Sequence, residues 1–132
     1  MLFRSLLRPG DILTHAYSGS GNNTVRDGKV AAAALEAKRR GVVIDVGHGG
    51  GSFDYTIAEA AIQQGAPPDT ISSDIHQLCI DGPAYDQVTT LSKFLCMGME
   101  LSDVIAASTV NAAMALRRPE LGSLKQIGRA HV

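Results

Sequence analysis

Along the chain, short unbroken apolar runs alternate with longer stretches of helical composition. Ile12-Leu13-Thr14-His15 reads as a buried strand ending in an imidazole, after a turn at Pro9-Gly10-Asp11. Val42-Val43-Ile44-Asp45-Val46 is β-branched almost throughout and is the clearest strand in the chain. Pro67-Pro68 forbids helix, so the run from Thr70 and Ile71 to Asp74 reads as a third strand, with His76 two residues further on. Val30 to Arg40 is dense in helix formers and Gly41 stops it. Phe53 to Gln64 is a second helix, with Thr56, Ile57, Ala60 and Ala61 on one face and Gly65 at its end. The tract from Tyr17 to Lys29 is rich in Gly, Ser and Asn, has no apolar period, and predicts a loop; Cys79 to Gln87 is irregular. From Thr89 the pattern is wholly helical. Leu91, Phe94, Leu95 and Met97 form an apolar stripe ended at Gly98. Ser102-Asp103 opens Val104 to Ser108 with Leu101 as a staple, Asn111 caps Ala112 to Arg118, and Gly122 to Lys125 looks like the start of a strand.

Strands recurring at a spacing of about thirty residues, with helices between them, are the signature of βαβ units. Their near-continuous hydrophobicity points to a parallel sheet covered on both faces, hence an α/β fold. Two architectures fit: a slice of a (β/α)8 barrel or a small doubly wound sheet. Three strands are few for either.

Composition narrows the partners. The chain has 132 residues, 45% apolar and 19% charged, with a formal net charge of −1. That is one compact unit large enough to bury a core, with no electrostatic case for nucleic acid or an anionic membrane. No apolar run approaches the roughly 20 residues of a membrane span. Cys79 and Cys96 lie in apolar surroundings without metal spacing and read as reduced core thiols, which suits the cytoplasm.

Each strand finishes in a group capable of chemistry: His15, His48 (two residues beyond Val46) and Asp74. In a parallel sheet these ends share one rim. Neutral imidazole is a good zinc ligand, and a carboxylate can bind the metal or accept a proton from water. The plainer readings are a buried His15 bonded to backbone, a His48 merely tolerated by its glycine neighbours, and an Asp74 that caps or turns the chain. His76 would support the ligands from behind or belong to a loop. The turn Gly47-His48-Gly49-Gly50-Gly51-Ser52 offers a rival, a nucleotide- or phosphate-binding module with the anion at a helix N-terminus. Its signal is weak, because Ser52 stands where a third glycine belongs and no Lys-Ser/Thr pair follows.

Taken together, Leu7-Arg8-Pro9-Gly10-Asp11-Ile12-Leu13-Thr14-His15, Arg40-Gly41-Val42-Val43-Ile44-Asp45-Val46-Gly47-His48-Gly49 with Ser52-Phe53, and Asp69-Thr70-Ile71-Ser72-Ser73-Asp74-Ile75-His76 resemble the amidohydrolase/deacetylase metallohydrolases, a dihydroorotase-like branch of the amidohydrolase superfamily. Leu101 to Ala113, followed by Leu121-Gly122-Ser123-Leu124, is similar to that superfamily's closing helices. The resemblance implies a TIM barrel with one or two zinc ions at its strand ends. It makes His15 the histidine ligand on the sixth strand and Asp74 the eighth-strand aspartate that binds metal and shuttles a proton. It sets His48, and more distantly His76, on the substrate side. The implied reaction is hydrolysis of a non-peptide amide or an acetyl ester of a small molecule by metal-activated water.

The first-strand His-x-His, the carboxylated lysine ligand of the fourth strand and the fifth-strand histidine of that pattern have no counterpart in this sequence. The resemblance therefore implies that residues 1–121 are the C-terminal part of the barrel, its sixth to eighth strands with their helices. Residues 122–126 would begin a strand of a small β-domain. Residues 127–132, Ile127-Gly128-Arg129-Ala130-His131-Val132, would be read-through of a sequencing-library adapter. On this reading the chain is an inactive fragment, and self-association of the intact enzyme is left open. Strands adjacent in chain order with converging ends would favour the barrel slice over the nucleotide module.

Overall fold

A computed structural model of the chain describes residues 6–19 and 24–124, so Lys125 and the expected adapter-derived tail at 127–132 lie outside the described residues. The elements run β1 (Ile12–Leu13), β2 (Val25–Arg26), β3 (Lys29–Val30), α1 (Ala32–Arg39), β4 (Val43–Ile44), α2 (Tyr55–Gln63), α3 (Gln87–Cys96), α4 (Leu101–Ser108) and α5 (Val110–Ala115). β1 and β4 are parallel, Ile12 facing Val43 and Leu13 facing Ile44. The ladder continues past both ends, with Val43 N donating to Asp11 O and Asp45 N to Leu13 O. On the other side of β4 the segment from Asp69 to Ser73 lies parallel as well. Asp45 bridges Thr70, and the amides of Val46, His48 and Gly49 donate to the carbonyls of Thr70, Ser72 and Ser73. Three parallel segments thus lie side by side in chain order, the arrangement expected of a barrel slice, although the third makes an isolated bridge rather than a full strand.

Small residues bring the helices close. Ala34 and Ala37 of α1 and Ala58 and Ala61 of α2 are buried, and so are Val42, Ile44, Val46 and Ile71 of the sheet. Phe94 of α3 and Val104 and Ala107 of α4 join the same cluster. Tyr17 is fully buried and its hydroxyl donates to Ala66 O at 2.9 Å, so its polar tip is satisfied inside the core. At the far end of the sheet from the strand tips, Asp69 ties three elements together. Its carboxylate accepts from Ile44 N and from Lys38 Nζ of α1, and its carbonyl accepts from Asn111 Nδ2 of α5. Among the described residues no helix is long and apolar enough to cross a membrane.

Several local expectations give way. The tract read as a loop contains the antiparallel β2–β3 hairpin, turned at Asp27 and Gly28, both at positive φ. Val30 belongs to β3, so α1 starts at Ala32. Asp54 caps α2, accepting from the amides of Thr56 and Ile57; Thr56 is exposed, and the helix buries Ala58 and Ala61. In α3 the buried positions are Thr90 and Phe94, while Leu95 is exposed. Leu101 is the exposed first residue of α4 rather than a staple before it. Asn111 lies inside α5 and spends its amide on Asp69, because the helix starts earlier, after Thr109. Residues 121–124 form no strand. Cys79 is buried as expected, whereas Cys96 is exposed; both are free.

Candidate functional site

The carboxyl ends of the three parallel segments meet around the turn that leaves β4. Gly47 N donates to Ser72 Oγ at 3.0 Å, and Gly47 O accepts from His15 Nδ1 at 2.8 Å. Gly47 has φ +52° and a Cβ there would lie 2.7 Å from His15 Nδ1; Gly49 has φ +50° and a Cβ there would lie 2.7 Å from Asp74 Oδ2. Both backbone shape and space therefore demand glycine at the two positions. His15 and Asp74 thus flank one three-residue turn, on the same rim, and both are exposed. Both also sit at positive φ, 54° and 47°, a conformation that side chains other than glycine adopt at a cost and that clusters at functional positions.

The hydrogen bond to Gly47 fixes the chemistry of His15. A carbonyl oxygen only accepts, so Nδ1 carries a proton, and in the neutral ring Nε2 keeps its lone pair. That is the tautomer a metal ligand needs, with the other ring nitrogen anchored on backbone. Asp74, exposed beside Gly49, adds a carboxylate. Among the described residues no three His, Cys, Asp or Glu side chains gather closely enough to hold a metal ion. The donor set fits zinc in type, one imidazole and one carboxylate, but stops at two.

Behind this rim lies a carboxylate that sequence reasoning passed over. Asp45 is buried, and it accepts from Thr14 Oγ1 at 2.7 Å, Thr70 Oγ1 at 2.6 Å and Ser72 Oγ at 2.8 Å. One hydroxyl comes from the β1 side and two from the 69–73 segment, so the three parallel segments are stitched together through one side chain. The signal was present: a carboxylate inside an apolar strand must find partners, and hydroxyl residues stand in the two neighbouring segments.

His48 faces the protein interior. It is 1% exposed. Nδ1 donates to Gly49 O at 2.9 Å, Nε2 accepts from Lys93 Nζ at 2.7 Å, and the ring stacks on Phe53 at 4.6 Å between centroids. Lys93 also donates to Pro83 O at 2.7 Å and lies 5.7 Å from the Phe53 ring centroid, close enough for a cation–π contact. Burial, with the Lys93 charge adding to it, lowers the His48 pKa; burial lowers that of Lys93 as well. Both ring nitrogens of His48 are therefore engaged within the chain, and its link to the rim runs through the Gly49 carbonyl. His76 is exposed, and its Nδ1 accepts from Leu78 N at 3.2 Å. Its ring edge lies 3.9 Å from where a Cβ on Gly50 would stand. The geometry brings His15 and Asp74 to one turn, holds His48 beneath it and leaves His76 at its margin.

The glycine turn is ill suited to a phosphate. The amides of Gly47, His48 and Gly49 donate to the 72–73 segment, and the first amides of α2 are taken by the carboxylate of Asp54. An anion would meet a capped helix end and a like charge.

No protein-family model matches the chain. Curated proteins do: it is 39% identical over 113 residues to a deacetylase of Brucella anthropi and, to the same degree, to Deacetylase Atu3266 of Agrobacterium fabrum, covering 85% of this chain and 28% of each relative. A deacetylase of Enterococcus faecalis is 34% identical over 128 residues, covering 95% of this chain and 34% of the relative. The fold matches the crystal structure of an adenine deaminase with a TM-score of 0.88 at 32% identity, over 94% of this chain and 34% of that one. It matches that of a dihydroorotase with a TM-score of 0.80 at 38% identity, over 86% and 31%. Both solved proteins are members of the amidohydrolase superfamily. The chain is thus similar to curated deacetylases and to two solved members of the amidohydrolase superfamily, and it spans 28–34% of the length of those deacetylases.

Proposed function

We propose that this chain supplies part of the active site of a metal-dependent amidohydrolase that cleaves a non-peptide amide or an acetyl ester of a small molecule. The observation that carries this reading is the placing of His15 beside Gly47 and Asp74 beside Gly49 on one turn, the first offering an imidazole nitrogen and the other a carboxylate. In this reading β1, β4 and the 69–73 segment are the sixth, seventh and eighth strands of a (β/α)8 barrel, whose sites lie at the carboxyl ends of its strands. His15 and Asp74 would hold one or two zinc ions together with ligands from outside the described residues. Zinc, when bound, polarises the scissile carbonyl and lowers the pKa of water. Asp74 takes the proton from the attacking water and gives it to the departing nitrogen or oxygen. Gly49 lets the backbone pass beside that carboxylate without pushing it away. His48 supports the turn from beneath, and His76 edges the substrate side. With two ligands among its described residues, the 132-residue chain by itself is inactive.

A chimera tests this reading, with residues 6–121 replacing the matching segment of the Brucella anthropi deacetylase. The zinc-loaded chimera should hydrolyse that enzyme's substrates, and Asp74→Asn should lower kcat by about 10² or more with a smaller effect on KM. A folded, zinc-loaded chimera without turnover, or an Asp74→Asn variant with full turnover, overturns it.

A further inference from the structure

We propose that Asp45 is a positioning residue that sets the tautomer and orientation of His15 through Ser72 and Gly47. The inference rests on the reading of His15 as a metal ligand, since only then does the tautomer matter to chemistry.

Each link is a hydrogen bond with a fixed direction. An aspartate carboxylate only accepts, so Thr14, Thr70 and Ser72 each point a hydroxyl proton at Asp45. Ser72 has spent its one proton on Asp45 Oδ2, and its oxygen is left to accept from Gly47 N at 3.0 Å. That bond orients the turn at Gly47, whose carbonyl accepts from His15 Nδ1. The bonds therefore share one polarity from end to end, and the buried charge strengthens the bond from Ser72 and, through that hydroxyl, the one from Gly47 N. Were Ser72 free to donate elsewhere, its hydroxyl could rotate and the Gly47 amide would lose its acceptor. Burial of Asp45 keeps water from substituting for the hydroxyls that point at it.

The position of Asp45 in β4 explains how one residue reaches both sides. It lies between β1 and the 69–73 segment, and its two oxygens divide the work. Oδ1 takes the hydroxyl of Thr70, one residue pair further from the turn, whereas Oδ2 takes Thr14 and Ser72, next to His15 and under Gly47. Thr70 is therefore an internal control: it makes the same kind of bond to the same carboxylate but leads nowhere near the imidazole.

The experiment is long-range ¹⁵N–¹H correlation NMR on the 132-residue chain, at a pH well above the imidazole range and without metal. The wild-type chain should show His15 with its proton on Nδ1, the form an unconstrained imidazole disfavours. Ser72→Ala and Asp45→Asn should each turn that form from the majority into the minority. Thr70→Val, matched in shape, should leave it unchanged. A wild-type His15 protonated on Nε2, an unchanged tautomer in Ser72→Ala, or an equal shift in Thr70→Val overturns the inference. If Asp45→Asn fails to fold, Ser72→Ala still decides, because it leaves Asp45 two hydroxyl donors. None of these outcomes involves metal or turnover, so the relay can fail while the hydrolase reading stands, and the chimera can fail while the relay stands.

Discussion

His48 joins two hydrogen bonds that require opposite things of an imidazole. Its Nδ1 must carry a proton for the Gly49 carbonyl, and its Nε2 must lack one to accept from Lys93. Only the neutral ring satisfies both, in keeping with the pKa lowered from 6.5 by burial. Above 6.5 both the folded and the unfolded chain hold the ring neutral, and its contribution to stability is fully present. As the pH falls below 6.5, the unfolded chain takes up a proton that the folded chain refuses, so stability drains away until the folded value is reached. Tm should therefore fall more steeply with acidification below that point in the wild-type chain than in His48→Gln. Parallel curves for the two would remove His48 from the pH dependence. The sequence placed an imidazole two residues past a strand, which made His48 look like a rim residue. What it could not show was that the turn at Gly47 swings the ring inward, onto Phe53 and toward a lysine 45 positions away. His15 and Asp74 were legible because strand ends in a parallel sheet share a rim whatever the turns do. Asp45 was legible in principle, since an unpartnered carboxylate in that strand would be too costly to bury.

Elements were readable where local chemistry alone decides them. The end of α2 is such a case, with Gly65 just past it; its start is not, because the expected helix begins at Phe53 whereas Asp54 caps it, accepting from Thr56 N at 2.8 Å and Ile57 N at 3.2 Å. Asp54→Ala should cost about 1 kcal/mol of stability, measured by urea denaturation, because two amides lose their acceptor at an N-terminus that also favours a negative charge. A loss indistinguishable from zero would mean that packing alone holds the helix start. The β2–β3 hairpin shows the converse. Its Asp27-Gly28 turn is a recognised two-residue hairpin signal, but the flanking strands are two residues each, too short for alternation to appear. Asn111 departs from its expected capping role for a different reason. Its residue type suits a cap, yet the acceptor that claims it, the Asp69 carbonyl, is 42 positions away and exists only after α5 has docked. Leu95, expected in the apolar stripe of α3, is exposed and Thr90 is buried, with Phe94 turned inward and edge-on to Phe53.

At the scale of the whole molecule, the parallel order of β1, β4 and the 69–73 segment does what no single motif could do: it carries residues 15 and 74 to the two sides of one turn. That was foreseeable from strand spacing, since βαβ units return each strand in the same direction. The number of ligands so delivered sets what the chain can do alone. Zinc sites in proteins take at least three protein ligands, and on the proposed reading His15 with Asp74 makes two among the described residues. Isothermal titration of the 132-residue chain should therefore show zinc binding that is weak and lost on dialysis against a chelator, and His15→Ala or Asp74→Ala should reduce it to background. Zinc retained through dialysis at one equivalent per chain would contradict this. It would require a third ligand from the chain itself, for which the exposed His76, at the margin of the rim, is a candidate among the described residues. To reach the metal, His76 would have to give up the bond that its Nδ1 accepts from Leu78 N. Retained zinc that survives His15→Ala would go further, because the metal would then lie away from the Gly47–Gly49 turn, and the shared rim would have no part in holding it.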